Sequence, residues 1–421
     1  MVQADAGKPS PQRILNGEVH NWYRMILGFS DHLVADLLDE FKVEPGETVL
    51  DAFCGSGTTL VECMKRGIDA VGLDANPLSC FTSRVKTNWR LTSARLRELV
   101  TETRTLYRQQ LRRTTLLSTD LTYQYLSASG MIDRGWISDE PLRKAIATKA
   151  AIWRLPTNEA YRAALLLALI AEVVGVSSNV KFGPELYCGP RKKDSEVLEG
   201  FARRVELMAS DLEKVRELPA SFVTVIQGDA RECATILAKS KGLFAAAISS
   251  PPYPTEHDYT RNTRLELAFL EAVSGVESLR AIKRKMIRSH TKNIYHDDTD
   301  SQHVAEHARI QALAKELRKR VADKKHGFAR YYPNVVTEYF GGMKRHLEGL
   351  HELLAPGAPC ALVVGDQASY QQMHIPTARL LASIGREIGF EKISVKHFRN
   401  RWSTRTASNI CENILILRKR E

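Results

Sequence analysis

The chain has 421 residues, of which 43% are hydrophobic and 26% charged, so it can bury at least one large core and is neither disordered nor fibrous. Its seven cysteines form no CxxC pair, which favours reduced thiols over a disulfide framework or a zinc site. The longest apolar stretch, residues 163–176, contains Glu172 and is too short to cross a bilayer, so we expect a soluble cytoplasmic protein without a membrane partner. The formal net charge of +11 favours a polyanionic partner.

The first ninety residues predict the opening of an α/β sheet. An amphipathic helix over residues 31–41 is followed by a turn at 44–46 and a buried strand over 48–53. A glycine-containing turn then leads into a helix that Gly67 ends, and a second strand follows at 69–74. The order strand, glycine turn, helix, strand is typical of a doubly wound sheet.

The rest of the chain contains a long helical stretch between two groups of strands. Residues 91–220 are almost wholly helical and too long for one crossover, so they predict an inserted domain. The later predicted elements are strands at 222–229 and 244–249, a helix at 334–354, a strand at 361–366, a helix at 377–389, and a hairpin of 393–398 with 413–419.

We therefore predict an α/β fold with a Rossmann-like sheet of seven strands and a large helical insertion. The predicted segments are a first sheet part at 1–90, a helical insertion at 91–220, a second sheet part at 221–270, a basic helical segment at 271–332, and a last sheet part at 333–421.

The run Asp51-Ala-Phe-Cys-Gly55-Ser-Gly57-Thr-Thr follows the first strand. Its two glycines allow the backbone to approach a ligand closely, and the amides of the next helix can receive an anionic group. The third glycine of the dinucleotide fingerprint is absent, since Leu60 stands there, so this run alone is a weak signal. Asp74 ends the second strand, where a carboxylate can bind the ribose hydroxyls of a nucleoside cofactor.

The run Ser249-Ser250-Pro251-Pro252-Tyr253 follows another apolar strand, so Ser250 is expected at the carboxyl edge of the sheet. The Ser250 hydroxyl and the Pro251 carbonyl can accept hydrogen bonds from an amino group, and Tyr253 offers a ring on which a base can stack. An exocyclic amino nitrogen of cytosine or adenine is a poor nucleophile until such acceptors draw on its hydrogens. The pattern therefore favours amino chemistry without a covalent intermediate, in which positioning supplies much of the rate.

DAFCGSGTT, GLDANP and SSPPY together resemble motifs of the S-adenosylmethionine-dependent, amino-methylating DNA methyltransferases, and SPPY is typical of their N4-cytosine group. The resemblance implies that S-adenosylmethionine is the cofactor and that DNA is the partner, with a target base flipped out of the duplex. It assigns the base site to Ser250, Pro251, Pro252 and Tyr253. It assigns the cofactor site to Phe29, Ser30, Asp51, Phe53, Gly55, Gly57, Thr58, Asp74 and Asp229.

Within that cofactor site, the resemblance places Asp51 at the amino group of the methionine part, Asp74 at the ribose and Asp229 near the adenine. The motifs cover about half the chain. In the commonest N4 pattern SPPY precedes the glycine motif, whereas here it follows that motif. Because of this different order, the target-recognition region cannot be placed from the sequence. For DNA contacts we predict two residues beyond SPPY and four in the basic segment, namely Tyr259, Arg261, Arg288, Lys292, Arg318 and Lys319.

Several alternatives remain open from the sequence. Methylation of adenine N6 needs the same geometry, and RNA base methyltransferases share the glycine motif. A non-catalytic DNA-binding protein with this fold is a further alternative. Carbon-5 methylation would need the Cys360 thiol as nucleophile, although no cation stands near it in the sequence to lower its pKa. His303 to His307 match the HxxEH pattern of zinc hydrolases, although we predict no metal site.

Overall fold

A seven-stranded, mostly parallel sheet with helices on both faces forms the centre of the molecule. The computed structural model describes residues 17–25, 28, 30–182, 186–324, 326–368, 370–403 and 408–421. The predicted α/β, Rossmann-like fold is confirmed.

The strands within the described residues are β1 (Thr48–Asp51), β2 (Asp69–Asp74), β3 (Val180–Phe182), β4 (Leu186–Cys188), β5 (Val223–Gln227), β6 (Ala246–Ser249), β7 (Pro359–Gly365), β8 (Phe390–Ser403) and β9 (Ser408–Lys419). The large sheet has the order β5-β2-β1-β6-β7-β9-β8, and β3 pairs with β4 in a separate hairpin. Strand β9 runs antiparallel to both β7 and β8, while the other pairs in the large sheet are parallel.

The helices are α1 (Asp31–Phe41), α2 (Thr58–Met64), α3 (Pro77–Lys86), α4 (Ser93–Leu111), α5 (Leu121–Ala128), α6 (Asp139–Trp153), α7 (Glu159–Glu172), α8 (Val197–Val215), α9 (Cys233–Ile236), α10 (Tyr259–Asn262), α11 (Arg264–Phe269), α12 (Val276–Arg284), α13 (Ala308–Arg320), α14 (Tyr332–Leu353) and α15 (Thr377–Ile388).

The alternation of side chains along the strands builds two cores, one on each face of the sheet. Val49 on β1 and Ile248 on β6 pack with the apolar stripe of α1. Leu50 on β1 and Ala247 on β6 face the opposite side, where α14 and α15 cover them. Both faces of the inner strands are therefore buried, which explains their continuous apolar sequence.

Helices α4 to α8 pack around a third core, which also includes apolar residues of α11 and α12. The stretch Glu159–Ser177, which includes α7, is long and apolar enough to cross a membrane by length and composition alone. Most of that stretch is buried inside the protein, as expected for the central helix of a helical core.

The C-terminal hairpin is longer than predicted, because β8 and β9 continue past the end of β7. Gly365 of β7 pairs with Glu412, and beyond this point residues 400–403 and 408–411 pair only with each other. The polar sequence of this extension lacks the apolar alternation that marks a strand packed on a core, which is why it was missed.

Candidate active site

A cavity of about 630 Å³ lies at the carboxyl edge of the sheet, where the strand order reverses between β1 and β6. Open α/β sheets bind their ligands at this topological switch point. We call it the central cavity. The residues that line it are Tyr23, Met25, Gly28, residues 52–56, Thr58, residues 74–76, Ser79, Phe182, Ala230, residues 250–253, His257, Tyr259, Asn262, Thr263, Glu266, residues 285–287, Arg399, Asn400, Trp402 and Glu412.

The two glycines of the first motif have different structural roles. Gly55 (φ +50°) lines the central cavity, and its amide donates to Asp74 Oδ2 at 3.0 Å. Gly57 (φ +83°) does not line it; a Cβ at this position would lie 2.9 Å from the Ser83 hydroxyl on α3. Gly55 therefore borders the ligand space, whereas Gly57 permits the close packing of the loop on α3.

Asp51 lies behind the central cavity and does not line it. Its Oδ1 accepts hydrogen bonds from the Ser249 hydroxyl at 2.8 Å and from the Phe53 amide at 3.1 Å. Burial raises the pKa of Asp51 to about 6, although hydrogen bonds with Ser249, Thr59 and the Phe53 amide favour the charged form. Asp51 thus connects the two central loops, and the direct ligand contact expected for it is not supported by this position.

Asp74 lines the central cavity at the end of β2. Its Oδ1 accepts from the Asn76 amide at 2.8 Å, in addition to the contact of Oδ2 with Gly55. Burial raises the pKa of Asp74 from its usual value. Because each carboxylate oxygen has two lone pairs, Asp74 retains acceptor capacity toward a ligand hydroxyl.

The four residues Ser250, Pro251, Pro252 and Tyr253 all line the central cavity. The Ser250 hydroxyl donates to the Val363 carbonyl at 3.4 Å, which leaves its oxygen lone pairs available as acceptors. The Tyr253 amide donates to the Tyr259 hydroxyl at 3.2 Å, so Tyr259 supports this loop.

The remaining predicted cofactor residues divide into two groups. Phe53 and Thr58 line the central cavity. Ser30 and Asp229 do not line it. The Ser30 hydroxyl donates to Asp31, and the Asp229 carboxylate forms an ion pair with Arg231. Ala230 lines the wall in place of Asp229. Phe29 lies outside the described residues.

Sequence reasoning missed several residues that the fold brings into the central cavity. Glu266 on α11 is 2% exposed, and its Oε1 accepts from the Tyr23 hydroxyl at 2.8 Å. Glu412 and Trp402 come from the C-terminal hairpin. None of the three belongs to a recognisable motif; the polar Glu266 within the apolar run LELAFL was the one signal that sequence offered.

A second space of about 630 Å³, here called the basic cleft, adjoins the central cavity. Its lining includes five cations from three parts of the chain and one acid, namely Arg134, Arg261, Arg264, Lys283, Lys292 and Asp258. Burial alone would raise the pKa of Asp258, but the charges of His290 and Lys283 bring it down to about 2. Asp258 is therefore ionised and paired with Lys283 at 2.6 Å, and the cleft lining still carries more positive than negative charge.

The segment 257–266 forms the wall between the two spaces. His257, Tyr259 and Glu266 face the central cavity, whereas Asp258 and Arg261 line the basic cleft. A ligand that fills the central cavity and continues over this wall would meet the cations of the cleft.

The structure separates the predicted DNA contacts. Arg261 and Lys292 line the basic cleft, but the prediction for Arg288 is wrong: its side chain is buried and paired with Asp298 at 2.7 Å. Arg288 also donates to three backbone carbonyls of its own segment. Arg318 and Lys319 are exposed at the end of α13 and line neither space.

The geometry does not support a zinc hydrolase site at His303 and His307 or carbon-5 methylation through Cys360. His303 lies in a 3-10 turn and His307 caps α13, so the HxxEH residues do not share a helix. Cys360 lies in the core at the start of β7, where burial raises the pKa of its thiol well above the usual range.

Within the described residues, His20, Asp31 and Glu62 lie within 4.8 Å of one another, as metal ligands would. However, Glu62 is already paired with Lys65 at 2.8 Å and with Arg66 at 3.1 Å. Glu62 therefore already has cationic partners of its own within the protein.

Comparison with known proteins agrees with the motifs. A family model described as DNA methylase matches residues 29–81, which include the glycine loop and Asp74. The type II methyltransferase M.BsoBI of Geobacillus stearothermophilus is 26% identical over 430 residues, which cover 92% of this chain and 81% of that protein. These similarities support a DNA methyltransferase family for the chain.

Two other relatives add to this assignment. The type II methyltransferase M.AvaI of Nostoc sp. is 23% identical over 426 residues, covering 94% of this chain and 83% of that protein. M.MjaII of Methanocaldococcus jannaschii is 49% identical over 41 residues, or 10% of this chain and 8% of its own length. The similarity to M.BsoBI and M.AvaI extends over nearly the whole chain.

S-adenosylmethionine is the methyl donor of this methylase. The central cavity fits such a group, since its volume is that of a small-molecule site and Gly55 leaves its wall open to close approach. Asp74 at the end of β2 presents a carboxylate suited to a ribose diol.

Proposed function

We propose that the protein methylates the exocyclic N4 of cytosine in DNA, within a base that is flipped out of the duplex. The observation that carries this proposal is the position of Ser250 to Tyr253 in the same cavity as Gly55 and Asp74. The two motifs are almost two hundred residues apart in sequence, and the fold joins them at the switch point of the sheet.

The loop after β6 is proposed to bind the amino group. Ser250 Oγ and the Pro251 carbonyl accept its two hydrogens, which draws the nitrogen lone pair out of conjugation with the ring. The Tyr253 ring stacks on the base. The bound cofactor supplies an electrophilic methyl group on a good leaving group, so the protein's task is alignment of the amino nitrogen in line with it.

The cofactor is proposed to lie along the glycine loop. Phe53, Gly55 and Thr58 border its methionine part, and Asp74 receives its ribose hydroxyls. Asp51 holds this loop against the loop of Ser250 through Ser249, so it positions both parts of the site without touching either ligand.

The choice of cytosine rests on Ser250. N4-cytosine enzymes of this family typically begin the motif with serine, whereas N6-adenine enzymes more often carry an acid there. An N6-adenine activity remains the second candidate, since the same acceptors fit an adenine amino group.

DNA is proposed to lie across the basic cleft. Arg134, Arg261, Arg264 and Lys292 line the cleft in addition to the ion pair of Lys283 with Asp258. A phosphodiester backbone supplies anions at regular spacing, which such a cationic surface attracts. Because segment 257–266 separates the cleft from the central cavity, a base in the cavity would leave its flanking phosphates at Arg261 and Lys292. The helical insertion contributes Arg134 to the same surface.

The names of the relatives indicate the biological setting. M.BsoBI and M.AvaI are type II methyltransferases, and we propose by similarity that this enzyme modifies specific DNA sites in the cytoplasm as the methylating partner of a restriction-modification system.

One experiment tests the proposed reaction. The protein is incubated with DNA and isotopically labelled S-adenosylmethionine, the DNA is digested to nucleosides, and the labelled nucleoside is identified by mass spectrometry. Label in N4-methylcytosine supports the proposal, and label in N6-methyladenine or 5-methylcytosine would overturn it. RNA treated in the same way should remain unlabelled.

A further inference from the structure

The central cavity contains three carboxylates, and two of them are already held by other groups of the protein. Asp74 accepts from the amides of Gly55 and Asn76. Glu412 is paired with Arg399 and also accepts from Tyr253. The third carboxylate is that of Glu266. Among the residues that the structure describes, it contacts neither a cation nor the backbone amide of another residue, and its side-chain hydrogen bond is with the neutral Tyr23 hydroxyl.

Glu266 is nevertheless 2% exposed, so its charge is removed from water. Burying a carboxylate without a countercharge is costly, and burial accordingly raises the pKa of Glu266 to about 7. A site of this kind gains most from a ligand that brings a positive charge.

The neighbours of Glu266 indicate which end of the cofactor it meets. Tyr23, Met25 and Gly28 line the cavity beside the glycine loop, and a Cβ on Gly55 would lie 3.5 Å from Met25 Sδ. The methionine part of the cofactor is proposed to border Gly55, so Tyr23 and Met25 stand at that end of the cavity. Glu266 therefore belongs to the amino-acid end of the site, and Asp51, which was expected to serve this end, does not line the cavity.

We propose that Glu266 binds the α-ammonium group of the methionine part of the cofactor. The ion pair supplies the missing countercharge of Glu266, and Tyr23 orients the carboxylate by donating to Oε1. This inference depends on S-adenosylmethionine as cofactor and is independent of which base is methylated.

The proposal is tested by binding of two product-like nucleosides in the absence of DNA, measured by isothermal titration calorimetry. S-adenosylhomocysteine carries the amino-acid group, and 5′-methylthioadenosine lacks it. Glu266→Gln keeps the size and the acceptor for Tyr23 but removes the charge. Glu217→Gln, an exposed position beyond α8, is the matched control.

We expect Glu266→Gln to weaken S-adenosylhomocysteine binding on the order of 10- to 100-fold, as for loss of a hydrogen bond between charged groups. Binding of 5′-methylthioadenosine should remain as in the wild type, which also shows that the variant is folded. Equal weakening of both ligands, or no weakening of either, would overturn the assignment. A wild-type protein that binds neither ligand would refute the cofactor itself, whereas methylation of another base would refute only the proposed target.

Discussion

Tyr253 donates its hydroxyl to Glu412 Oε1 at 2.9 Å, which joins the loop after β6 to strand β9. Glu412 is also paired with Arg399 on β8, and it stands at the last position where β9 pairs with β7. The base-holding ring is thereby fixed to the point where the C-terminal hairpin leaves the sheet.

This contact predicts a graded effect of substitutions at Tyr253. Tyr253→Phe keeps the stacking ring and loses one hydrogen bond to a charged acceptor, so kcat should fall about tenfold. Tyr253→Ala also removes the stacking surface, so its kcat should be lower by a further factor of about ten or more. Steady-state kinetics with DNA provides the measurement. Equal activity of the two variants would show that the ring does not stack on the base.

Ser250→Ala removes one proposed acceptor of the amino hydrogens. We expect kcat to fall at least tenfold, since the contact strengthens as the amino group becomes pyramidal. The affinity for S-adenosylhomocysteine should change less than twofold, because Ser250 is assigned to the base. Unchanged turnover would remove Ser250 from the mechanism.

Alanine substitutions at the two glycines of the first loop should cause different defects. Gly57→Ala places a methyl group 2.9 Å from the Ser83 hydroxyl and at positive φ, so the free energy of unfolding should fall by about 1–3 kcal/mol. Gly55→Ala is also strained by its positive φ, but it makes only an ordinary contact with Met25. It should therefore lower stability less than Gly57→Ala does, and because it narrows the cavity it should weaken cofactor binding. Urea denaturation and calorimetry measure the two effects. A Gly57→Ala protein as stable as wild type would contradict this reading.

Arg288 and Lys292 are four residues apart and should respond differently to replacement by alanine. Arg288→Ala leaves Asp298 buried without its partner and should destabilise the fold by about 3 kcal/mol or more. Lys292→Ala, at an exposed position in the basic cleft, should leave stability unchanged and reduce the slope of log affinity for DNA against log salt by about 0.9. An unchanged salt slope for Lys292→Ala would argue against DNA in the cleft.

Cofactor-product binding should depend on pH through Glu266. Because burial raises its pKa to about 7, Glu266 is mostly protonated at pH 6 and must release that proton to pair with an ammonium group. Affinity for S-adenosylhomocysteine should therefore rise about tenfold between pH 6 and pH 8.

Other titratable side chains line the central cavity and can add their own pH dependence. They are Tyr23, Cys54, Asp74, Tyr253, His257, Tyr259, Lys285, Arg399 and Glu412. The part due to Glu266 is the part that disappears in Glu266→Gln. An identical pH profile in the variant would exclude Glu266 as its source.

Local sequence determined the motifs and most sheet strands. The glycine turn and the apolar runs around β1, β2, β6 and β7 follow from backbone conformation and burial over a few residues, which neighbouring residues specify. The apolar run before Ser250 likewise predicted its position at the end of β6. The position of Asp74 at the end of its strand and in the cavity wall also followed from local sequence, while its role toward the ribose stays a prediction.

Only the tertiary structure shows which charged side chains line the central cavity and the basic cleft. Arg288 and Lys292 belong to the same basic run, yet one is buried against Asp298 and the other is exposed in the cleft, because that difference depends on a loop ten residues away in sequence. Glu266 comes to the cavity because α11 packs beside α3 and the chain near Tyr23, and Glu412 because β9 inserts between β7 and β8. Such placements depend on long-range packing, which no local pattern encodes.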